Sequence, residues 1–317
     1  MKIATLASNC HKKVTISLRL VLASLAVAVL GGLPRQADCQ VMGYYNVTVT
    51  NGYNFMANPL DQPPDNSITN VIPSAPDGTK VYLWDVPTQI FQPPSTYSIC
   101  CGWTVNVQLP PGKGFVVYAN TGATLTFVGN LLAGSLTNSV AGANRLSLLG
   151  SKIAQAGPLS GTNSLQFPGT DGDDVYTFSA TRQSYSDAFT YIAGYGWSDP
   201  NRVVGTNGPF IAIAQSFFVR HPGPDTNWVV NVAQPASPPP STSLKAANGS
   251  ATPVIKRLTT SGGAVTLQIS SLGGGAYNVQ FSADGLNWST VAQNQTGATW
   301  TGPYRGGARG YYRLINP

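Results

Sequence analysis

The chain has 317 residues, length for two or three domains, and only 9% of them are charged against 42% hydrophobic. All 12 acidic residues are Asp, beside 34 Gly and 24 Pro, and this surplus of turn formers over helix formers excludes an architecture of long helices. The formal charge of +6 gathers at the start: Lys2, Lys12, Lys13, Arg19 and Arg35 precede Asp38, leaving 13 basic and 12 acidic residues from there on and excluding a nucleic-acid footprint.

Residues 1–37 read as a secretory signal, with Lys12, Lys13 and Arg19 as its positive region and Leu20 to Leu33 as its apolar run, ended by Pro34. That run is short of the roughly 20 residues that cross a bilayer. An uncleaved anchor over Val14 to Leu33 is the alternative. A lipoprotein reading of Cys39 is opposed by Asp38, which stands where a small residue is needed. No later stretch is apolar enough to span a membrane. Removal of the signal takes Cys10 with it and leaves Cys39, Cys100 and Cys101, so not all can pair within one chain. Export permits a disulfide from Cys39 to one of the pair, or a strained Cys100–Cys101 bridge.

The middle of the chain is self-similar. Asp77-Gly78-Thr79-Lys80-Val81-Tyr82 matches Asp171-Gly172-Asp173-Asp174-Val175-Tyr176, and the same spacing aligns Gln89 with Gln183, Thr96-Tyr97 with Thr190-Tyr191, and Gly102-Trp103 with Gly196-Trp197. Over residues 77–103, nine of 27 positions are identical, and Trp84/Phe178 and Phe91/Tyr185 are aromatic in both. Further on, Phe115 to Val117 aligns with Phe217 to Val219, and Leu125 to Val128 with Asn227 to Val230. This predicts two tandem, sandwich-like β units over 38–136 and 137–232. In the first, strands are expected at Tyr45 to Val49, Lys80 to Trp84, Thr104 to Val107 and Thr124 to Val128. In the second they are expected at Asp174 to Ser179, Phe189 to Ala193, Ile211 to Val219 and Trp228 to Val232. Asp77-Gly78, Pro110-Pro111-Gly112 and Thr121-Gly122 punctuate them as turns.

A Pro/Ser-rich linker follows over 233–253, then a small third β unit over 254–317. Val265 to Ile269 and Tyr277 to Phe281 alternate, Asp284-Gly285 is a hairpin turn, and Tyr311 to Ile315 closes the unit. It carries five basic residues against Asp284 alone, while 38–232 carries seven against 11 Asp. The expectation is an independent module with Tyr277, Val279, Phe281 and Trp288 in its core. Tyr277-x-Val279-x-x-Ser282-x-Asp284-Gly285-x-x-Trp288, closing with Tyr311-Tyr312-Arg313, resembles the fibronectin-III/Ig-like module that ends many secreted proteins of free-living Gram-negative bacteria. The stretch Gly52 to Leu60 and the repeats are similar to uncharacterised exported proteins of such bacteria. The resemblance implies location and architecture, and it brings no catalytic residues with it.

Several residues invite chemistry. His221 is the sole histidine past the signal, and any triad or His-based metal site would need it. It sits beside Pro222-Gly223-Pro224, where a solvated loop histidine is expected. Asp171-Gly172-Asp173-Asp174 offers clustered oxygens for calcium, yet its match Asp77-Gly78-Thr79-Lys80 places a lysine opposite Asp174, so a shared turn is the expectation. Trp84, Trp103, Trp197 and Trp228 could form a sugar-stacking platform. Recurrence of Trp103 and Trp197 argues for core instead, and leaves Tyr185, Tyr191 and Tyr195 as freer rings. Without Glu, glycosidase chemistry would rest on Asp pairs alone. The reading is therefore an all-β exported protein with no catalytic, cofactor or metal residues assigned. It would act by structure, adhesion or surface binding, towards an extracellular polysaccharide or a cell-surface component. A carbohydrate-binding module is the alternative, and an Asp-dependent hydrolase comes third.

Overall fold

The computed structural model describes residues 41–62, 64–233, 253–270, 275–305, 307–315 and 317; the expected signal, Cys39 and nearly all of the linker lie outside them. Strands dominate, in keeping with β-branched and aromatic residues set between Gly and Asn turns. The first unit runs β1 (Met42–Val49), β2 (Gly52–Ala57), a single-turn α1 (Ile68–Val71), β3 (Lys80–Asp85), β4 (Ile90–Phe91), β5 (Ser95–Ser98), β6 (Gly102–Trp103), β7 (Gly114–Ala119) and β8 (Ala123–Asn130). The second begins with β9 (Gly134–Val140), β10 (Leu146–Gly150), β11 (Gly157–Pro158), β12 (Asp174–Tyr176), β13 (Phe178–Ser179) and β14 (Ser184–Tyr185). It continues through β15 (Phe189–Ile192), β16 (Gly196–Ser198), β17 (Phe210–Ile211), β18 (Ser216–Arg220) and β19 (Thr226–Val232). The tail holds β20 (Val254–Ser261), β21 (Ala264–Ser270), β22 (Tyr277–Ser282), β23 (Ser289–Gln295), β24 (Thr299–Pro303) and β25 (Arg309–Ile315).

Of seven sheets among the described residues, two of them the small pairs β11-β17 and β13-β14, five stack face to face with apolar side chains filling each interval. Outermost is β20-β21-β24, then β23-β22-β25-β1-β8, then β2-β7-β3-β5-β6, then β10-β18-β12-β15-β16, and last β9-β19. Period-two alternation assigns each strand's residues to the intervals on its two sides. Phe115 and Val117 of β7 enter the first unit's core with Val49, Leu125 and Phe127. Val116 between them points the other way, with Phe55, towards Leu148 and Phe218 of the second unit. Phe217 and Val219 of β18 turn back into the second core, with Trp197 and Trp228.

The strands that the sequence alignment matches share their registers. Lys80 opposes Tyr118 and Thr96 as Asp174 opposes Arg220 and Thr190. Tyr97 opposes Trp103 as Tyr191 opposes Trp197, with ring centroids 5.3 Å apart in both hairpins. Burial moves one alignment by a residue: Leu125 and Phe127 answer the buried Trp228 and Val230, not Asn227 and Val229.

Between the units the contacts are reciprocal. Gln89 Oε1 accepts the Leu146 N–H at 2.7 Å and its amide donates to Leu146 O at 3.1 Å; Gln183 does the same to Tyr53, at 2.7 and 3.0 Å. The Ala57 N–H donates to Ala214 O, and the Gly150 N–H to Gly112 O. Both glutamines take a positive φ, 57° and 52°, and each also donates to the carbonyl three residues before it, Val86 or Ala180. Thus β2 and β10, the edge strands of their sheets, are each covered by the opposite unit.

Several boundaries differ from those expected. β9 pairs β19 along its length, from Gly134 to Val140, and so runs across the boundary expected between 136 and 137. Thr104 to Val107 is not a strand; its role passes to the short β6, because the Ser95 hydroxyl and Thr104 side chain take over the bonding there. Ile211 to Val219 breaks into β17 and β18 around Ala214, whose φ is 60°. The largest correction concerns the tail, which shares a sheet with the first unit: β25 pairs β1 with Met42 opposite Tyr312 and Tyr44 opposite Gly310. Met42 and Tyr44 fall in one core with Leu258, Leu267, Tyr277 and Val279. Two glycines permit the join. A Cβ on Gly43 would lie 2.4 Å from the Tyr311 ring, and one on Gly310 would lie 2.6 Å from the Tyr44 ring. Trp288, expected in this core, lies outside it.

Deleting residues 254–317 should therefore destabilise the remainder. Exposing Met42 and Tyr44 alone removes burial worth about 3–6 kcal/mol together. Chemical denaturation of the truncated and full chains measures this, and an unchanged midpoint for the first unit would show that β1 does not depend on β25.

Candidate functional site

The first unit, the second unit and the tail meet around a groove of about 1080 Å³. Its apolar wall comes from Leu131, Ile153, Ile213 and Val230, and its tail side from Trp288, Tyr311, Arg309 and Arg313. The Asp284-Gly285 turn builds the rim. Asp284 Oδ1 accepts the Leu286 and Asn287 N–H groups, both at 2.8 Å, and the Ser282 hydroxyl; Oδ2 accepts the Asn287 side chain. These bonds, the Asn287 N–H foremost, hold the carboxyl far below the usual carboxylate range. It is a turn anchor, fully ionised, and unsuited to proton transfer near neutral pH.

That turn presents Leu286, 82% exposed, and Trp288 at the mouth. The Arg313 guanidinium lies 4.3 Å from the Trp288 ring centroid, while its Nε donates to Gln280 Oε1 at 2.8 Å. Arg309 Nε donates to Ala283 O at 3.0 Å. Burial pushes the Tyr311 hydroxyl up to about 12 and raises that of Tyr45, with the Arg309 guanidinium beside both opposing the shift. Both phenols therefore stay protonated at neutral pH. With the amides of Gln155, Gln166 and Asn231, the groove joins ring faces to neutral hydrogen-bonding groups and guanidinium charge.

His221 is not the solvated loop residue that its neighbours predict. It is 2% exposed, with Nδ1 2.5 Å from Oδ1 of the equally buried Asp173. The loop after β18 folds inward: His221 O accepts the Asn144 N–H, and a Cβ on Gly223 would lie 2.8 Å from the imidazole Nε2. Only glycine lets the chain pass over the ring. The other Asp173 oxygen accepts the Thr170 N–H at 2.8 Å.

The acidic cluster is divided among separate partners. Asp171 accepts the Ala193 N–H at 2.9 Å, as Asp77 accepts that of Ile99. Asp173 faces His221, and Asp174 pairs with Arg220 and the Thr190 hydroxyl. Among the described residues, no group of three or more His, Cys, Asp or Glu stands ready to hold a metal.

Of the tryptophans, Trp197 and Trp228 are buried, and Trp84 lies in the seam between units with its Nε1–H on Leu146 O. Trp103 packs on the first core and donates to Ile72 O. Tyr185 packs edge-on against Phe55 and Phe178, Tyr191 lies against Trp197, and Tyr195 stands alone at a turn, 69% exposed. The groove brings none of these together; its rings are Trp288, Tyr45 and Tyr311. A second aromatic surface also escaped the sequence reading: Tyr53 and Tyr118 oppose each other across β2 and β7, with Tyr82 beside Tyr53 at 6.4 Å. Their strand alternation was the available signal. Among the described residues Cys100 and Cys101 are exposed and free, with no vicinal bridge between them, and the alternative pairing with Cys39 lies outside those residues. No helix among the described residues is long and apolar enough to cross a membrane. No protein-family model and no curated protein matches the chain.

The substitution His221→Ala should cost about 3 kcal/mol, because it leaves the Asp173 carboxylate buried without its partner. Equilibrium unfolding in urea measures it; a loss below about 0.5 kcal/mol, the usual surface value, would place the pair in solvent.

Proposed function

We propose that the protein is an exported, non-catalytic surface-binding protein that holds extracellular polysaccharide in the groove at the junction of its three parts. The groove carries this reading: Trp288 offers a ring to sugar C–H faces, and the surrounding amides, phenols and guanidinium groups suit hydroxyls. The matched registers and reciprocal contacts of the two halves support their being copies of one β unit, joined to a tail of fibronectin-III/Ig-like character. A stack of packed sheets suits the rigid presentation of such a site. The export reading rests on residues 1–37.

Hydrolysis is the weaker reading for this groove. It calls for two carboxylates disposed about a bond, whereas Asp284 is the one carboxylate among the described lining residues and its oxygens are occupied by the turn.

The test is co-sedimentation of the chain with insoluble cellulose, chitin and β-1,3-glucan. Retention on at least one is expected. Trp288→Ala should weaken it about tenfold or more, on the scale of a lost aromatic anchor, with an unchanged thermal transition. Equal retention by the variant, or none by the wild type, would refute the groove as a polysaccharide site.

A further inference from the structure

The hairpin joining β5 to β6 carries three residues, Ile99, Cys100 and Cys101, at its tip. Its geometry comes from the backbone. The Cys101 N–H donates to Ser98 O at 3.1 Å, the Ile99 N–H is held by Asp77, and Gly102 takes a φ of 74°. This is a turn closed by a left-handed glycine. The hairpin between β15 and β16 repeats each feature: the Tyr195 N–H donates to Ile192 O at 3.0 Å, Asp171 holds Ala193, and Gly196 has a φ of 90°. There the two tip positions are Gly194 and Tyr195. A hairpin of the same length and closing bond thus forms without any cysteine, with Gly194 at a φ of 80° where Cys100 stays outside the left-handed region, so the thiols are not needed to close it.

A third difference accompanies them. Ser98 Oγ lies 3.2 Å from Cys100 Sγ, and its match in the second hairpin is Ile192, which has no hydroxyl. Two thiols and a hydroxyl therefore occur together at an exposed tip, with Ile99 beside them 81% exposed. Hydrogen bonds from Cys101 first, then Ser98, hold the Cys100 thiol below its usual value, and the same Cys101–Cys100 bond raises Cys101. The pair is unequal, with one sulfur disposed to be the thiolate and the other its donor.

We propose that Cys100 is a thiol–disulfide exchange site through which the chain becomes covalently joined to a disulfide-bearing protein. Its thiolate attacks one sulfur of the partner's disulfide; the new S–S bond forms as the old one breaks. The displaced sulfur leaves as a thiolate and takes a proton from water, so no separate oxidant is consumed. Cys101 is a positioning residue that donates to the attacking sulfur. It is poorly placed to reverse the step, because adjacent Cα atoms across a trans peptide stand about 3.8 Å apart, short of the roughly 4.4–6.8 Å of an ordinary disulfide. Cys101 therefore does not resolve the mixed disulfide, whose reversal is left to the displaced thiol or another external one. Its setting rests on the export proposed above, since disulfides are plentiful outside the cytosol, and it gives a surface protein a covalent anchor.

The test uses the full chain with oxidised glutathione at neutral pH, the adducts being located and timed by peptide mass spectrometry. The expected product is a stable glutathione adduct on Cys100. C100S should slow adduct formation at the tip about tenfold or more, S98A and C101S by a smaller factor with the adduct still on Cys100. Equal rates for C100S and C101S, a wild type that fails to react, or conversion mainly to a Cys100–Cys101 disulfide would each overturn the proposal. Failure of export would leave these rates untouched, and loss of polysaccharide binding would not alter them.

Discussion

The rest of the structure depends on how two sheet edges are closed. A sheet cut from a β unit leaves a row of unpaired N–H and C=O groups along its last strand, and such an edge recruits whatever strand it meets. Two such edges are β2 and β10, and each is closed by the other half. Gln89 and Gln183 act as substitute backbone: one side-chain amide supplies both the acceptor for an edge N–H and the donor for the same residue's C=O. Further along, Met56 bridges Gln215 and Leu149 bridges Lys113. Each half thus lends the other a glutamine and receives one in return, a reciprocal closure within a single chain. Between the edges lies an aromatic seam in which Phe218 meets Phe55 and Trp84 at 5.9 and 4.9 Å, geometry that favours edge-to-face packing.

The same alternation that builds the seam explains the tail. β1 begins Met42-Gly43-Tyr44-Tyr45, buried throughout. Tyr45 enters the first unit's core while Met42 and Tyr44 point to the opposite face, which would be wet if the unit ended there. The tail covers that face. The outer face of β9 and β19 instead presents Ser135, Thr137, Ser139 and Asn227, all exposed, and needs no cover. A charged tail docked beside a more acidic body also creates the groove, whose far wall comes from the second unit.

Much of this was legible. The repeat spacing located the paired hairpins, because a hairpin register is a local property of turn length and strand alternation. Asp77-Gly78 and Asp171-Gly172 were legible as turns, and the recurring Trp103 and Trp197 as packed residues. Other parts depend on contacts distant in sequence. His221 looked solvated because its proline and glycine neighbours signal a loop; its burial comes from Asp173, 48 residues away. The roles of Gln89 and Gln183 were invisible for the same reason, although both had been aligned. The docking of the tail could have been suspected from β1 itself, since four consecutive buried residues do not fit a strand with one wet face. The alternation of the tail strands pointed to a separate sandwich, and nothing local revealed that β25 would join β1.

Amide hydrogen exchange at Tyr53 and Leu146 tests the central claim most directly. Both N–H groups belong to edge strands and point away from their own sheets, so an isolated unit would leave them to solvent. The reciprocal seam requires both to be protected, on the order of a hundredfold or more over an open chain, and Gln183→Ala and Gln89→Ala each to release the amide that its glutamine held. Exchange of both amides at the unprotected rate in the wild-type chain would mean that the two halves do not close each other's edges.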